Sequence, residues 1–113
     1  QYPEAMEHLR TALRIFWSLG DNLEVISVLT TLGVLLFRQQ NLEAAAKNYR
    51  KAIEIAKESD LEEGMESVWM NLAVIDIMFG RLTDAVPLFE MSEKRYRLLG
   101  NHQAHQDLNH LQE

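Results

Sequence analysis

Shifted against itself by forty residues, this chain of 113 aligns ten identical pairs among seventy-three positions. They include Ala5/Ala45, Ala45/Ala85, Ala12/Ala52, Ile15/Ile55, Ser27/Ser67, Leu32/Leu72, Val34/Val74 and Leu42/Leu82. Recurrence on this length scale marks a structural unit used repeatedly, because one small unit cannot bury its apolar face alone and stacked neighbours build a continuous core. Small residues recur where elements must approach closely: Gly33 aligns with Ala73, and Ala12 and Ala52 with Ser92, while Leu9, Tyr49 and Phe89 share a bulky slot. Within each unit apolar residues return every three or four positions, and two prolines and five glycines interrupt them rarely. That spacing belongs to helices, so the expected fold class is all-α.

Helix-stopping and helix-starting residues coincide at Gly20-Asp21-Asn22, Gln39-Gln40-Asn41, Ser59-Asp60, Phe79-Gly80-Arg81 and Leu99-Gly100-Asn101. The spacing therefore predicts about six helices, over 3–19, 22–38, 42–58, 61–79, 83–99 and 102–111. Asp21 with Glu24, and Asp60 with Glu63, have the separation of a capping box, in which the first residue accepts a backbone N–H and the second reaches back. Pro3 suits a first helical turn. Pro87 suits one only if its helix starts just after Thr83; an earlier start puts it inside the helix.

Composition narrows the function. The net charge is −6, which argues against a broad cationic surface for a nucleic-acid backbone. The longest uncharged apolar stretch, Val25 to Phe37, has thirteen residues, short of the about 20 that a membrane-spanning helix needs. Without cysteine there is no disulfide, thiolate nucleophile or Cys-based zinc site, and a cytoplasmic location is the mild preference. The chain starts at Gln1 without a basic and apolar leader and reads as a fragment of a larger protein.

These residues resemble the tetratricopeptide repeat, in the long version of about forty residues per unit. The early large aromatic of that family is matched by Trp69. Its leucine-small pair is matched by Leu32-Gly33 and Leu72-Ala73, and its turn glycine by Gly80. Its second-helix alanine, aromatic and small residue are matched by Ala45, Tyr49, Ala52 and by Ala85, Phe89, Ser92. Leu29 departs from the early aromatic, Gln40 from the turn glycine, and Asp76 stands where a bulky residue is usual. The resemblance implies a right-handed α-solenoid of antiparallel helix pairs. Its units would be 1–20, the second helix of a truncated repeat; 21–60 and 61–100, two full repeats; and 101–113, a C-terminal capping helix.

By the same resemblance, the first helix of each unit lines a concave ligand groove. At 100° per residue, Ser67, Met70, Asn71, Val74, Ile77 and Met78 share one stripe, and their counterparts are Ser27, Thr30, Thr31, Val34, Phe37 and Arg38. Methionines and an aromatic adapt to an apolar side chain, Asn71 can donate to and accept from a peptide amide, and Arg38 can pair with a carboxylate. The same pattern also fits plain core packing, with neighbouring helices covering the stripe. A groove clamping a C-terminal carboxylate would need a Lys and Asn set, of which only Asn71 is present. Asp76 falls on the opposite, packing side of its helix, where a buried carboxylate needs a cation such as Lys94 or Arg95.

The two ends differ. Leu13 and Ile53 give way to Glu93, and Ile15 and Ile55 to Arg95, so the array is expected to stop soon after. The first helix carries Tyr2, Ala5, Met6, Leu9, Ala12, Leu13, Ile15, Phe16, Trp17 and Leu19 over a wide arc with no helix before it, and an exposed apolar face is expected there. His102 and His105 are three apart and could share a metal with Asp107 or His110, but a solvated polar cap fits that spacing better. Catalytic triads, phosphate-binding glycine loops and paired carboxylates have no counterpart in the chain, and no cofactor is implied. The expectation is a noncatalytic scaffold that recruits a peptide or helix of a protein partner, as part of a larger signalling or assembly protein. It needs no nucleic acid and no membrane. The alternative is a structural module that self-associates as a homo-oligomer through residues 1–19.

Overall fold

The computed structural model describes residues 2–111, with side chains described for 2–100. Among the described residues there are five helices and no strand: α1 (Tyr2–Ser18), α2 (Asn22–Arg38), α3 (Leu42–Glu58), α4 (Glu66–Met78) and α5 (Leu82–Leu111). Helices α2 and α3 form one antiparallel hairpin and α4 and α5 a second, while α1 packs on α2 and α3 on α4 to join the stack. The outcome is an elongated solenoid of 53 × 36 × 29 Å. Its radius of gyration is 16.5 Å, against about 13 Å for a compact domain of this length. No helix of the described residues is long and apolar enough to cross a membrane.

Twenty-residue punctuation sets the stack. Gly20, Gln40, Asp60 and Gly80 all adopt a left-handed φ, between 56° and 74°. In each turn the amide of that residue donates to the carbonyl three positions back, and the next amide to the carbonyl five positions back. At the first hairpin these bonds are Gln40 to Phe37 and Asn41 to Leu36, both 2.9 Å. This double bond satisfies the last carbonyls of a helix and reverses the chain. Gln40 and Asp60 do so without glycine, at the steric cost of a side chain in the left-handed region.

Between the helices the packing is close. Ala45, Ala46, Ala52 and Ala56 on α3 are fully buried and let α2 and α4 approach, while Val25, Val28, Leu29, Leu32, Leu36, Met65, Val68, Trp69, Leu72 and Ile75 fill the remaining space. Tyr49 lies flat against Gly33: a Cβ at Gly33 would stand 2.6 Å from Cε1 of the tyrosine ring. The shared bulky slot and the small residue opposite it are therefore one contact.

Three local expectations are corrected. Helix α4 begins at Glu66, not at 61: Asp60 is spent on the left-handed turn, Gly64 takes φ +83°, and no capping box forms at Asp60–Glu63. The Asp21 cap does form, accepting the Glu24 amide at 3.2 Å. Helix α5 begins at Leu82, so Pro87 lies inside it and leaves the Thr83 carbonyl without its helical donor. Gly100, in phase with the four turns, does not turn; α5 runs on to Leu111, and residues 102–111 continue it instead of forming a sixth helix. A glycine inside a helix costs only about 1 kcal/mol, and the thin stripe of Ala104, Leu108 and Leu111 offers little to fold back with.

Candidate functional site

Helices α2 and α4 present the predicted stripe side by side. None of its twelve residues is buried: Thr30, Val34, Phe37, Met70 and Asn71 are half-buried, and Ser27, Thr31, Arg38, Ser67, Val74, Ile77 and Met78 are exposed. The stripe is thus not covered by neighbouring helices. The reason is geometric: alternate helices face each other only across a gap, while α3 fills the layer behind them with Tyr49, Ala52 and Ala56.

Two hollows straddle α2 and α4. At the N-terminal ends of the helices, Ser27, Thr30, Thr31 and Ser67 gather with Leu23, Ile26, Leu61, Glu63, Gly64, Met65 and Val68 around about 250 Å³. At the opposite ends Phe37, Arg38 and Met78 gather with Gln40 and Leu42 around about 540 Å³. Val34, Met70, Asn71, Val74 and Ile77 line neither hollow; along the helices they lie between the two. The first hollow offers hydroxyls over an apolar floor. Thr31 already donates its hydroxyl to the Ser27 carbonyl at 2.9 Å, so its oxygen remains as an acceptor. The second offers an aromatic ring, a thioether and the Arg38 guanidinium, a pairing suited to an apolar side chain beside a carboxylate.

Asn71 sits at the middle and is anchored from below. Its Nδ2 donates to the Tyr49 hydroxyl at 3.4 Å, which leaves its carbonyl oxygen and second N–H for a backbone amide laid along the groove. Burial pushes the Tyr49 phenol above its ordinary value, against the smaller opposing effect of the Asn71 hydrogen bond. The tyrosine is therefore neutral and holds the amide in place.

Behind the groove lies a charge network for which the sequence suggested the wrong partner. Asp76 is buried as expected, but Lys94 and Arg95 do not meet it. Arg50 of α3 and Arg81 of the α4–α5 turn donate to the same oxygen, Oδ1, at 2.9 and 3.0 Å. Arg81 continues to Glu43 at 2.9 Å and lies over the Phe79 ring. Its hydrogen bond holds the Glu43 carboxyl below the usual carboxylate range. Arg95 instead pairs with the buried Glu66 at 3.1 Å, so it is tied into its own hairpin instead of marking a solvated end. The signal for Arg50 was present as the identity Arg10/Arg50, but charge at a repeat position does not say which neighbour it serves. Gln40 and Leu42, also missed, enter the second hollow through the turn.

The expected apolar face of α1 is open only in part: Ile15 and Trp17, with Leu19 just beyond the helix, are more than half exposed, whereas Met6 is buried and Leu9, Ala12, Leu13 and Phe16 are half-buried against the core. The side chains of His102, His105, Asp107 and His110 lie outside the described residues, so the metal reading has no geometry.

A family model described as tetratricopeptide repeat matches residues 1–58. A search of the solved structures finds similarity to the crystal structure of the TPR domain of Arabidopsis FLU, with a TM-score of 0.77 and 22% identity. That match covers 86% of this chain and 82% of the other. Its identity is low enough that it speaks for the fold alone. No curated protein matches the chain.

Proposed function

Because the chain belongs to the tetratricopeptide repeat family, whose members in general mediate protein–protein interaction without catalysis, we propose that it is a noncatalytic scaffold whose α2/α4 groove holds a partner peptide or helix. The observation that carries this reading is that all twelve stripe residues are accessible. The two hollows at its ends would take two side chains of one ligand, and Asn71, fixed by Tyr49, would register the ligand backbone between them. Arg38 favours an acidic residue at the larger hollow. A setting within a cytoplasmic signalling or assembly protein is consistent with the cysteine-free sequence.

The test is to capture binding proteins from a cell extract with the wild type and with Val74→Glu. Val74 is 38% exposed, so the variant should melt normally and lose the captured protein. Undiminished capture by a folded Val74→Glu would remove the groove from the account.

A second reading rests on the open face of α1. In α3 the residues forty positions on from Ala5, Leu9, Ala12 and Ile15 are buried, whereas these four are half-buried or exposed. Self-association through α1 would cover them. Sedimentation across concentration would then show assembly that Trp17→Glu abolishes, and a monomer at every concentration would dispose of it.

A further inference from the structure

The groove carries opposite charges at its two ends. Among the residues lining the small hollow the sole charged one is Glu63, and among those lining the large hollow it is Arg38. Both are exposed, and neither enters an ion pair among the described residues. Between them Val34, Met70, Asn71, Val74 and Ile77 are uncharged.

The difference extends beyond the linings. The turns that frame the small hollow, 20–24 and 58–63, add Asp21, Glu24, Glu58, Asp60 and Glu62 to Glu63 and contain no cation. These turns abut, with the Asn22 side-chain amide donating to the Ser59 hydroxyl at 2.9 Å, so their charges reinforce one another. The helix dipoles act the other way, but the N-termini of α2 and α4 bring only about half a positive charge each. At the large hollow Glu43 is taken up by Arg81 and Asp84 lies outside the lining, which leaves Arg38 its charge for a ligand.

The small hollow suits a long cationic side chain. Ile26, Met65 and Val68 make a buried apolar floor for its methylene stem. Above them the hydroxyl oxygens of Ser27, Thr30 and Ser67 are acceptors for its N–H groups, and Glu63 meets its charge. Thr30 and Arg38 are eight positions apart, about 12 Å along the axis of α2. An extended chain covers about 13 Å in four residues, and residues four apart point to the same side of it. A helical ligand would keep its backbone amides bonded internally and offer none to Asn71.

Resting on the reading of the groove as a peptide site, we infer that its ligand is an extended partner segment of defined charge order. A Lys or Arg fills the small hollow, a Glu or Asp four residues away meets Arg38, and an apolar residue midway packs on Met70 and Val74. The charges set which way round the segment lies and select against partners of the opposite order.

The probes are acetyl-Lys-Ala-Val-Ala-Glu-amide and its reverse, acetyl-Glu-Ala-Val-Ala-Lys-amide, titrated into the ¹⁵N-labelled full chain with assigned amide signals. The expected result is saturable shifts at both Ser67 and Arg38, and the tighter of the two peptides gives the chain direction. Replacing the Lys or the Glu of that peptide by Gln should weaken binding about threefold, as for an exposed ion pair. Glu63→Lys turns that attraction into repulsion and should weaken the Lys-bearing peptides about tenfold while leaving the Lys-free one unchanged. Arg38→Glu should do the same for the Glu-bearing peptides alone. Both side chains are exposed, so both variants should melt as the wild type does. Absence of saturable binding, equal binding of charged and Gln peptides, or variants that weaken all peptides alike overturns the charge order. So do groove signals that move on dilution of the protein alone, which would make a second copy the occupant. Loss of the captured partner by Val74→Glu alongside any of these results would leave the groove reading in place, whereas capture undiminished by Val74→Glu removes both.

Discussion

The two hairpins share a backbone plan and differ in what holds them. In α2/α3 the interior positions are Ile26, Leu36, Ala52 and Ile55, all apolar and buried. Forty residues on, α4/α5 has Glu66, Asp76, Ser92 and Arg95 in the same places. Three of these four are buried, and each finds a partner: Asp76 has Arg50 and Arg81, Glu66 has Arg95, and Ser92 donates to the Glu66 carbonyl at 3.2 Å. The first hairpin is joined by shape, with Gly33 under the Tyr49 ring; the second is joined by charge. The lesson is that a repeat conserves the space at each position more strictly than its polarity, provided every charge brought inside is met.

The largest expected effect tests the charged hairpin. Replacing Arg50 and Arg81 together by Ala strands Asp76 in the interior, and urea unfolding should show a loss of about 3–5 kcal/mol. Adding Asp76→Leu, which restores the residue type of Leu36, should recover most of that loss. Failure of the leucine to rescue would mean that the arginines act through something other than the buried carboxylate.

Next comes the apolar hairpin. Gly33→Ala drives a methyl into the Tyr49 ring, and the same unfolding measurement should register about 1–3 kcal/mol of destabilisation. The equivalent positions in the second hairpin hold Ala73 and Phe89, so Ala73→Gly should not stabilise. A third change targets the turns: Gln40→Gly removes a left-handed side chain and should raise stability by about 1 kcal/mol, whereas Gly80→Gln should lower it by a similar amount. Equal and opposite shifts would show that the two turns are interchangeable.

The smallest effect at neutral pH is that of Tyr49→Phe, which loses only a long hydrogen bond to Asn71 and copies Phe89. Its value lies at high pH. Burial raises the tyrosine pKa in the folded state, so the stability from its neutral form is fully present below the unfolded value near 10 and is lost as pH rises through the folded one. Thermal melting should therefore fall more steeply above about pH 10 for the wild type than for Tyr49→Phe. Parallel curves would show that the phenol is not the group responsible.

Much of this architecture was legible in the residues. The helical spacing and the turns at 20, 40, 60 and 80 came from patterns local to a few residues, and so did the placement of Asp76 on the packing side, while the period of forty came from the return of those patterns along the chain. The misplaced start of α4 was local too: Asp60 served equally well as a cap or as a left-handed turn residue, and only the second use let Leu61 and Met65 reach the core. The stripe residues were legible as a face, but not as an open one. Periodicity places side chains around one helix and says nothing of the gap between two.

Sequence alone settled that the chain is helical, where it reverses at residues 20, 40, 60 and 80 and that its units repeat, because those depend on backbone preferences, on neighbours three or four positions away and on their recurrence; it also predicted a reversal at Gly100 that the structure does not make. Only the tertiary structure decided that Arg50 and Arg81, not Lys94 or Arg95, meet Asp76, that α2 and α4 leave hollows between them, and that the Trp69 indole lacks a partner. Those outcomes turn on how helices distant in the chain are set against one another, and an ångström or two there determines whether a charge is paired, a groove is open or a donor goes unmet.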